Sequence, residues 1–264
     1  LLPCLALLAL AVASPGAYGM AFALGSFVAA LSVVPALRAP EPGPPGAAAE
    51  RLGRSFAHLV VAIALSQLLA NLAPVVVSYR LPGDAVAAGV FGATFVLARI
   101  PLFLFAPVQA VLLPKLTRAA TLGDRAELVR RQRQALAAAA IAGGLGVVGC
   151  LVLGPWAAEL LFDTARPPSA AVVGLLGLAT LLMMVALVLQ PTLVALGRQR
   201  VVSAGWAAGT VMFLALVAVP VEPVAAALAA QLAGPAVVLA VLGAGVVRAL
   251  RADLHADAEG GRST

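Results

Sequence analysis

Residues 169–196 read SAAVVGLLGLATLLMMVALVLQPTLVAL, a run without a single charged side chain. An α-helix needs about 20 apolar residues to cross the roughly 30 Å hydrocarbon core of a bilayer. This stretch is long enough to span a membrane as one helix. Apolar runs of comparable length recur on both sides of it.

The whole composition agrees with this stretch. The chain has 264 residues, of which 62% are hydrophobic and 11% are charged, and its mean hydropathy is +1.06. Soluble domains are about 45–50% apolar and about 25% charged. The composition excludes a soluble globule and a disordered chain, and two cysteines exclude a disulfide scaffold. We therefore predict an all-α polytopic membrane protein.

The apolar runs predict seven full or nearly full spans and one shortened span, hence about 7–8 transmembrane helices. The shortened span covers 1–13, and the others cover about 17–37, 58–78, 87–114, 134–157, 169–196, 201–220 and 223–247. Because the chain opens inside a hydrophobic run, we expect a fragment that lacks its N-terminal part.

The basic residues are distributed unevenly between alternate loops. Of the 17 lysines and arginines, 14 fall before residue 58, at 115–133, at 198–200 or after residue 247. The intervening loops hold only Arg80 and Arg166. This alternation is the positive-inside pattern. It predicts that the linker at 38–57, the loop at 115–133, the turn at 198–200 and the C-terminus are cytoplasmic. The high isoelectric point thus indicates membrane topology, not nucleic-acid binding.

Two of these cytoplasmic segments have distinct character. Residues 38–57 are rich in proline and glycine at their start and are predicted to be a linker without regular structure. In the next loop Asp124 and Glu127 resemble a capping box, which predicts a helix starting near Arg125.

Arg99 is the one ionised residue clearly within a predicted span. An arginine at the bilayer centre costs about 2.5–3.5 kcal/mol on insertion scales. Pro101 and Pro107 follow it and lack the backbone N–H of a helical residue, so we expect the span to be kinked or broken. A cation in a broken helix favours an anionic substrate group such as a phosphate or pyrophosphate. The alternative is a structural arginine bonded to carbonyls of a neighbouring helix.

Uncharged polar residues recur inside the spans, and we regard five as candidates to line a cavity: Gln67, Asn71, Gln109, Gln190 and Gln231. Gln67 and Asn71 are four residues apart and share a helical face. Each of these side chains has an alternative role, a hydrogen bond to an adjacent helix.

Glycine patterns at 144–149 and 205–209 are interpreted as helix-packing surfaces. The first matches GxGxxG, but it lies within a span and not at a strand-to-helix turn. We find no nucleotide, metal or hydrolase motif and predict neither a cofactor nor an enzyme activity. No acidic residue lies clearly inside a span, which argues against a cation exporter.

Three stretches resemble the multidrug/oligosaccharidyl-lipid/polysaccharide exporter superfamily, and within it the polysaccharide biosynthesis (Wzx-type) flippases. They are SQLLAN at 66–71 with YRLP at 79–82, the region from GVFG at 89–92 through ARIP at 98–101 to LPKL at 113–116, and LQP at 189–191 with ALGR at 195–198.

The resemblance implies two six-helix bundles around a central cavity. It would make 1–37 the last two helices of the first lobe, 38–57 the interlobe linker, 58–248 the six-helix second lobe and 249–264 a cytoplasmic tail. It implies a flippase in the bacterial cytoplasmic membrane that moves a polyprenyl-pyrophosphate-linked oligosaccharide. Its partners would be membrane lipid, the anionic lipid-linked glycan that it moves, and glycan-assembly proteins such as a polymerase. The alternatives are a lipid II flippase, a multidrug or cation antiporter of the same superfamily, and a non-transporting scaffold of a glycan-assembly complex.

Overall fold

The computed structural model describes residues 47–162 and 167–260, without the side chains of 47–52, 106, 108–110, 113, 161–162 and 252–260. Throughout this part the chain is helical, with short turns and no strand. Its helices are α1 (Ala47–Arg80), α2 (Ala85–Leu97), α3 (Ile100–Thr121), α4 (Arg125–Phe162), α5 (Ala170–Ala195), α6 (Gln199–Val217) and α7 (Pro223–Gly260).

Six segments of these helices are long and apolar enough to cross a membrane: Gly53–Arg80, Ala85–Phe105, Arg125–Leu160, Ala170–Ala195, Gln199–Val217 and Pro223–Arg251. Each overlaps one of the six spans predicted between residues 58 and 247, although the second ends at Phe105 instead of near residue 114 and the third begins at Arg125 instead of near residue 134. The chain is therefore a multi-pass membrane protein. The spans predicted at 1–13 and 17–37 lie outside the described residues, as do Arg166 and the tail beyond residue 260.

The predicted linker differs from the structure at its C-terminal end. Helix α1 begins at Ala47, so residues 47–57 are helical and not irregular. The prolines and most of the glycines of the linker precede Ala47, whereas alanine and arginine, which favour helices, make up six of the eleven residues at 47–57. Internal contacts divide the chain into Leu1–Arg51 and Leu52–Thr264, a boundary within the predicted linker.

Polar side chains cap the helices next to the turns. Asp84 accepts a hydrogen bond from the Ala87 amide at 2.9 Å, and Ser169 accepts one from Val172 at 3.3 Å. Glu222 accepts two, from Val224 at 2.9 Å and from Ala225 at 2.6 Å. These groups satisfy amides that a helix N-terminus leaves without partners.

The predicted helix start at Arg125 is confirmed, although only half of the capping box forms. Asp124 accepts a hydrogen bond from the Glu127 amide at 2.9 Å. The Glu127 carboxylate does not return to the cap; it pairs with Arg130 and accepts a bond from Arg131 Nε at 2.8 Å. Glutamate thereby supports the first turns of α4 through i,i+3 and i,i+4 pairs.

Helix α5 lies at the centre of the described bundle and contacts α2, α3, α4, α6 and α7. It contributes to both apolar cores. The larger core joins α5 with α1, α2, α6 and α7 around Trp206 and Phe213. The smaller joins it with α3 and α4 around Leu116, Leu128 and Met184.

Close helix packing confirms the interpretation of the second glycine pair. A Cβ added at Gly209 would lie 2.3 Å from Val238 Cγ2 and 2.7 Å from the Gly234 carbonyl oxygen. A Cβ at Gly205 would lie 2.9 Å from Leu242 Cδ2. Helices α6 and α7 approach this closely because these positions carry no side chain.

The GxGxxG pattern in α4 is only partly a packing surface. A Cβ at Gly146 would lie 2.4 Å from Pro101 Cγ, so the absence of a side chain here allows α3 to pack closely against α4. At Gly144 and Gly149 an added Cβ would meet nothing within 4 Å. The pattern lies inside a helix and carries no phosphate-binding turn.

Candidate functional site

The span that carries Arg99 is broken at that residue. Helix α2 ends at Leu97 and α3 begins at Ile100, with Pro101 in its first turn. The Arg99 amide bonds the Val96 carbonyl at 3.1 Å, a tighter turn than the α-helical pattern, and its carbonyl accepts the Phe103 amide at 3.2 Å. The proline ring has no N–H to continue the α2 ladder, so the predicted break is confirmed.

The Arg99 side chain is buried against an aromatic ring. Only 7% of the residue is exposed, and its guanidinium carbon lies 4.3 Å from the centroid of the Phe95 ring. Phe95 is itself stacked on Phe91, with centroids 6.2 Å apart. Cation–π contact of this kind contributes about 0.5–2 kcal/mol, depending on desolvation.

Within the described residues the Arg99 guanidinium has no hydrogen-bond partner. Its Nε is buried and unpaired, and no carboxylate or backbone carbonyl reaches the group. In the structural alternative, carbonyls of a neighbouring helix would bond this arginine. The described residues contain no such bond. The guanidinium retains its donors for a ligand with oxygen acceptors.

Gln67 and Asn71 lie together on an exposed face of α1. The Asn71 side-chain amide donates a hydrogen bond to the backbone carbonyl oxygen of Gln67 at 2.8 Å, and both residues are exposed. Their i,i+4 spacing puts them on the helical face that also carries Val60 and Val75, which are 47% and 62% exposed. The structure therefore presents two amide groups on an otherwise apolar surface.

Gln190 has the alternative role, because it binds a neighbouring helix. Its Oε1 accepts a hydrogen bond at 2.8 Å from Nε1 of Trp206, a residue with no exposed surface. The bond ties α5 to α6 beside Pro191. The Gln109 side chain lies outside the described residues, although its backbone belongs to α3.

A buried polar contact between α4 and α5 was not predicted. Gln132 Nε2 donates to the Val188 carbonyl at 3.3 Å, and the Thr192 hydroxyl donates to Gln132 Oε1. Gln132 is only 6% exposed. A signal exists in the sequence: Leu128, Gln132 and Ala135 recur at helical spacing, which puts Gln132 on the buried stripe of α4.

Arg80 also has a role that charge counting missed. Its guanidinium donates to the carbonyls of Val217 at 2.9 Å, Val219 at 3.3 Å and Val221 at 2.9 Å. These carbonyls end α6 and form the turn after it, where unpaired acceptors and the helix dipole favour a cation. The residue therefore fixes the α6–α7 turn to the end of α1.

No group of three or more histidine, cysteine, aspartate or glutamate side chains within the described ranges is arranged to hold a metal ion. His58 Nδ1 lies 3.0 Å from the Ser203 hydroxyl, a contact between α1 and α6.

Comparisons with protein-family models, with curated proteins and with solved structures gave no match. Among the described residues, the buried guanidinium of Arg99 points most directly to a ligand.

Proposed function

We propose that the protein is a flippase that moves a polyprenyl-pyrophosphate-linked oligosaccharide across the bacterial cytoplasmic membrane, with its C-terminus on the cytoplasmic side. One observation carries the proposal. A broken membrane helix holds a buried arginine whose Nε has no partner among the described residues.

Arg99 would act by binding the charged part of the lipid. A guanidinium presents planar donors that match phosphate oxygens, and the interaction strengthens in a low-dielectric site. A break in the helix next to that cation is typical of substrate sites in transporters. On this account Phe95 holds the cation when the lipid is absent.

The exposed amides of Gln67 and Asn71 support a second element of the proposal. Amide groups on a membrane-spanning face provide donors and acceptors for sugar hydroxyls. Two such groups one turn apart on α1 offer a short polar step for the oligosaccharide. We assign them to the sugar and Arg99 to the phosphate.

A non-transporting scaffold is the second candidate, and the contact between Gln190 and Trp206 favours it. This contact uses a predicted cavity residue to join two helices. In a scaffold the remaining polar residues would have the same role. Transport and scaffolding therefore differ in whether Arg99 acts on a substrate.

The test is lipid transport by the purified chain in proteoliposomes. A fluorescent polyprenyl-pyrophosphate-linked oligosaccharide is added to the membrane, and its transfer between leaflets is followed with a membrane-impermeant reductant. We expect Arg99→Gln to lose at least about tenfold in rate, since a charge-assisted phosphate contact contributes roughly 1.5–3 kcal/mol. Arg99→Lys keeps the charge and retains part of the rate.

Arg118→Gln is the matched control, because Arg118 is exposed on α3 and lies outside the spans. We expect it to transport at the wild-type rate. Equal rates for wild type, Arg99→Gln and the control would remove Arg99 from the mechanism. No transport by the wild type under these conditions would favour the scaffold.

A further inference from the structure

A groove runs along the seam between α3 and α4, and its two ends differ chemically. One half has a volume of about 470 Å³, and Lys115, Arg131 and Gln134 contribute to its lining. The other half has a volume of about 560 Å³ and an apolar lining that includes Leu104, Phe105 and Leu145. Ala138 lines both, so the two cavities adjoin along the seam, and together they are here named the α3–α4 groove.

We propose that the α3–α4 groove binds one anionic phospholipid, with its phosphate at Lys115 and Arg131 and an acyl chain along Leu104 and Leu145. This inference does not depend on the proposed transport function. The site is separate from Arg99, which lines neither half of the groove.

Small side chains on α4 leave space for the acyl chain of the lipid. Ala138 and Ala142 line the groove, together with Gly146, which packs closely against Pro101. Larger residues at these positions would fill the space. Each half lies within the roughly 300–1,000 Å³ range of small-molecule sites.

The length of the groove fits one leaflet. Eleven residues separate Leu104 from Lys115 in α3, a rise of about 16 Å at 1.5 Å per residue. Half of a hydrocarbon core about 30 Å thick is about 15 Å. A lipid whose phosphate contacts Lys115 therefore places its acyl chain against Leu104 without crossing the midplane.

The charges at the polar end favour an anionic headgroup. Lys115 is exposed and has no hydrogen bond or ion pair among the described residues. Arg131 uses Nε for Glu127, which leaves its terminal amino groups as donors. A phosphate between Lys115 and Arg131 would complete these interactions, whereas a zwitterionic headgroup brings its own cation to the same place.

The experiment is native mass spectrometry of the full chain, purified in detergent and supplied with equal amounts of phosphatidylglycerol and phosphatidylcholine. We expect one phosphatidylglycerol to be retained in preference to phosphatidylcholine. Lys115→Gln and Arg131→Gln should each lower that preference about fivefold, as expected for a basic residue near an anionic lipid surface. Arg118→Gln, on the same helix but outside the groove, should leave it unchanged.

A second pair of variants tests the acyl chain. Ala138→Leu fills the middle of the groove and should reduce retention of both lipids. Ala137→Leu adds the same volume at an exposed position of α4 that does not line the groove, and retention should stay at the wild-type level.

Equal retention of the two headgroups by the wild type would overturn the proposal. So would a Lys115→Gln result indistinguishable from the Arg118→Gln control, or an Ala138→Leu result equal to that of Ala137→Leu. In a parallel sample that also contains polyprenyl phosphate, retention of that lipid but not of phosphatidylglycerol would show that the proposed occupant is wrong.

Discussion

Helices α4 and α5 are adjacent, apolar and long enough to span a bilayer, yet they occupy opposite environments. In the most apolar stretch of α5, 61% of the residues are buried inside the protein, compared with 17% in α4. Leu145, Val152 and Trp156 of α4 are all more than 60% exposed, while α5 contacts most of the other described helices. In a membrane both environments are apolar, so composition alone does not separate them.

The difference shows where this protein derives its stability. Lipid contacts are available to α4 in the folded and unfolded states alike, so its exposed side chains contribute little. Contacts of α5 depend on packing against other helices, through dispersion and buried hydrogen bonds. The following substitutions test that contrast with matched positions.

The largest effect is expected from truncating a buried leucine of α5. Leu176 is 2% exposed, and Leu176→Ala should lower the free energy of unfolding by about 2–5 kcal/mol because it leaves a cavity. Leu160→Ala makes the same change in α4, where the residue is 65% exposed, and should cost less than about 0.5 kcal/mol. Unfolding in a detergent titration measures both; equal losses would break the comparison.

Alanine substitutions at two glycines of α4 should likewise differ in their effect on stability, depending on whether the glycine contacts α5. A Cβ at Gly154 would lie 2.4 Å from Val173 Cγ1 of α5, so Gly154→Ala should destabilise by about 1–3 kcal/mol. At Gly149 an added Cβ meets nothing within 4 Å, and Gly149→Ala should be neutral or stabilising by up to about 1 kcal/mol. Thermal unfolding of the two variants decides this, and a destabilised Gly149→Ala would contradict the packing described.

Gln132 is the polar part of the α4–α5 contact. Gln132→Leu removes its bonds to Val188 and Thr192 and should lower stability by about 0.6–2 kcal/mol. Gln134→Leu changes an exposed glutamine of the same helix and should have almost no effect on the unfolding transition. If the two variants unfold alike, the buried contact contributes nothing measurable.

The smallest effect is expected at the polar start of α4, which has no equivalent in α5. Glu127→Gln weakens the pairs with Arg130 and Arg131 and should change the unfolding transition less than any substitution above, because exposed ion pairs contribute little to stability. High salt should reduce the difference from wild type, since salt screens exposed pairs. A larger loss that is insensitive to salt would mean that Glu127 has another role.

Part of this structure follows directly from local sequence. The six described spans, the helix start at Arg125 and the break at Arg99 depend on apolar length, on a capping side chain and on a proline, all of which act within a few residues. The helical start of α1 at Ala47 was missed because the proline-rich residues before it dominated the prediction.

The rest depends on how helices face one another. The same type of side chain, an amide in or beside a membrane helix, is exposed at Gln67, bonded to Trp206 at Gln190 and buried between helices at Gln132. The sequence predicts that each of these residues lies in a helix, but it does not predict which residue of another helix the side chain contacts. The α3–α4 groove was not predicted for the same reason, because Lys115 and Arg131 belong to different helices.

The central claim is that Arg99 is present for a substrate and not for the fold, and the stability of Arg99→Met tests it most directly. A buried charged donor without a hydrogen-bond partner costs the folded state more than the roughly 1–3 kcal/mol of a neutral one, whereas the contact with Phe95 stabilises it by at most about 2 kcal/mol. We therefore expect the free energy of unfolding of Arg99→Met to exceed that of the wild type by about 1 kcal/mol. A variant less stable than the wild type would show that Arg99 holds the fold together, and would contradict the account.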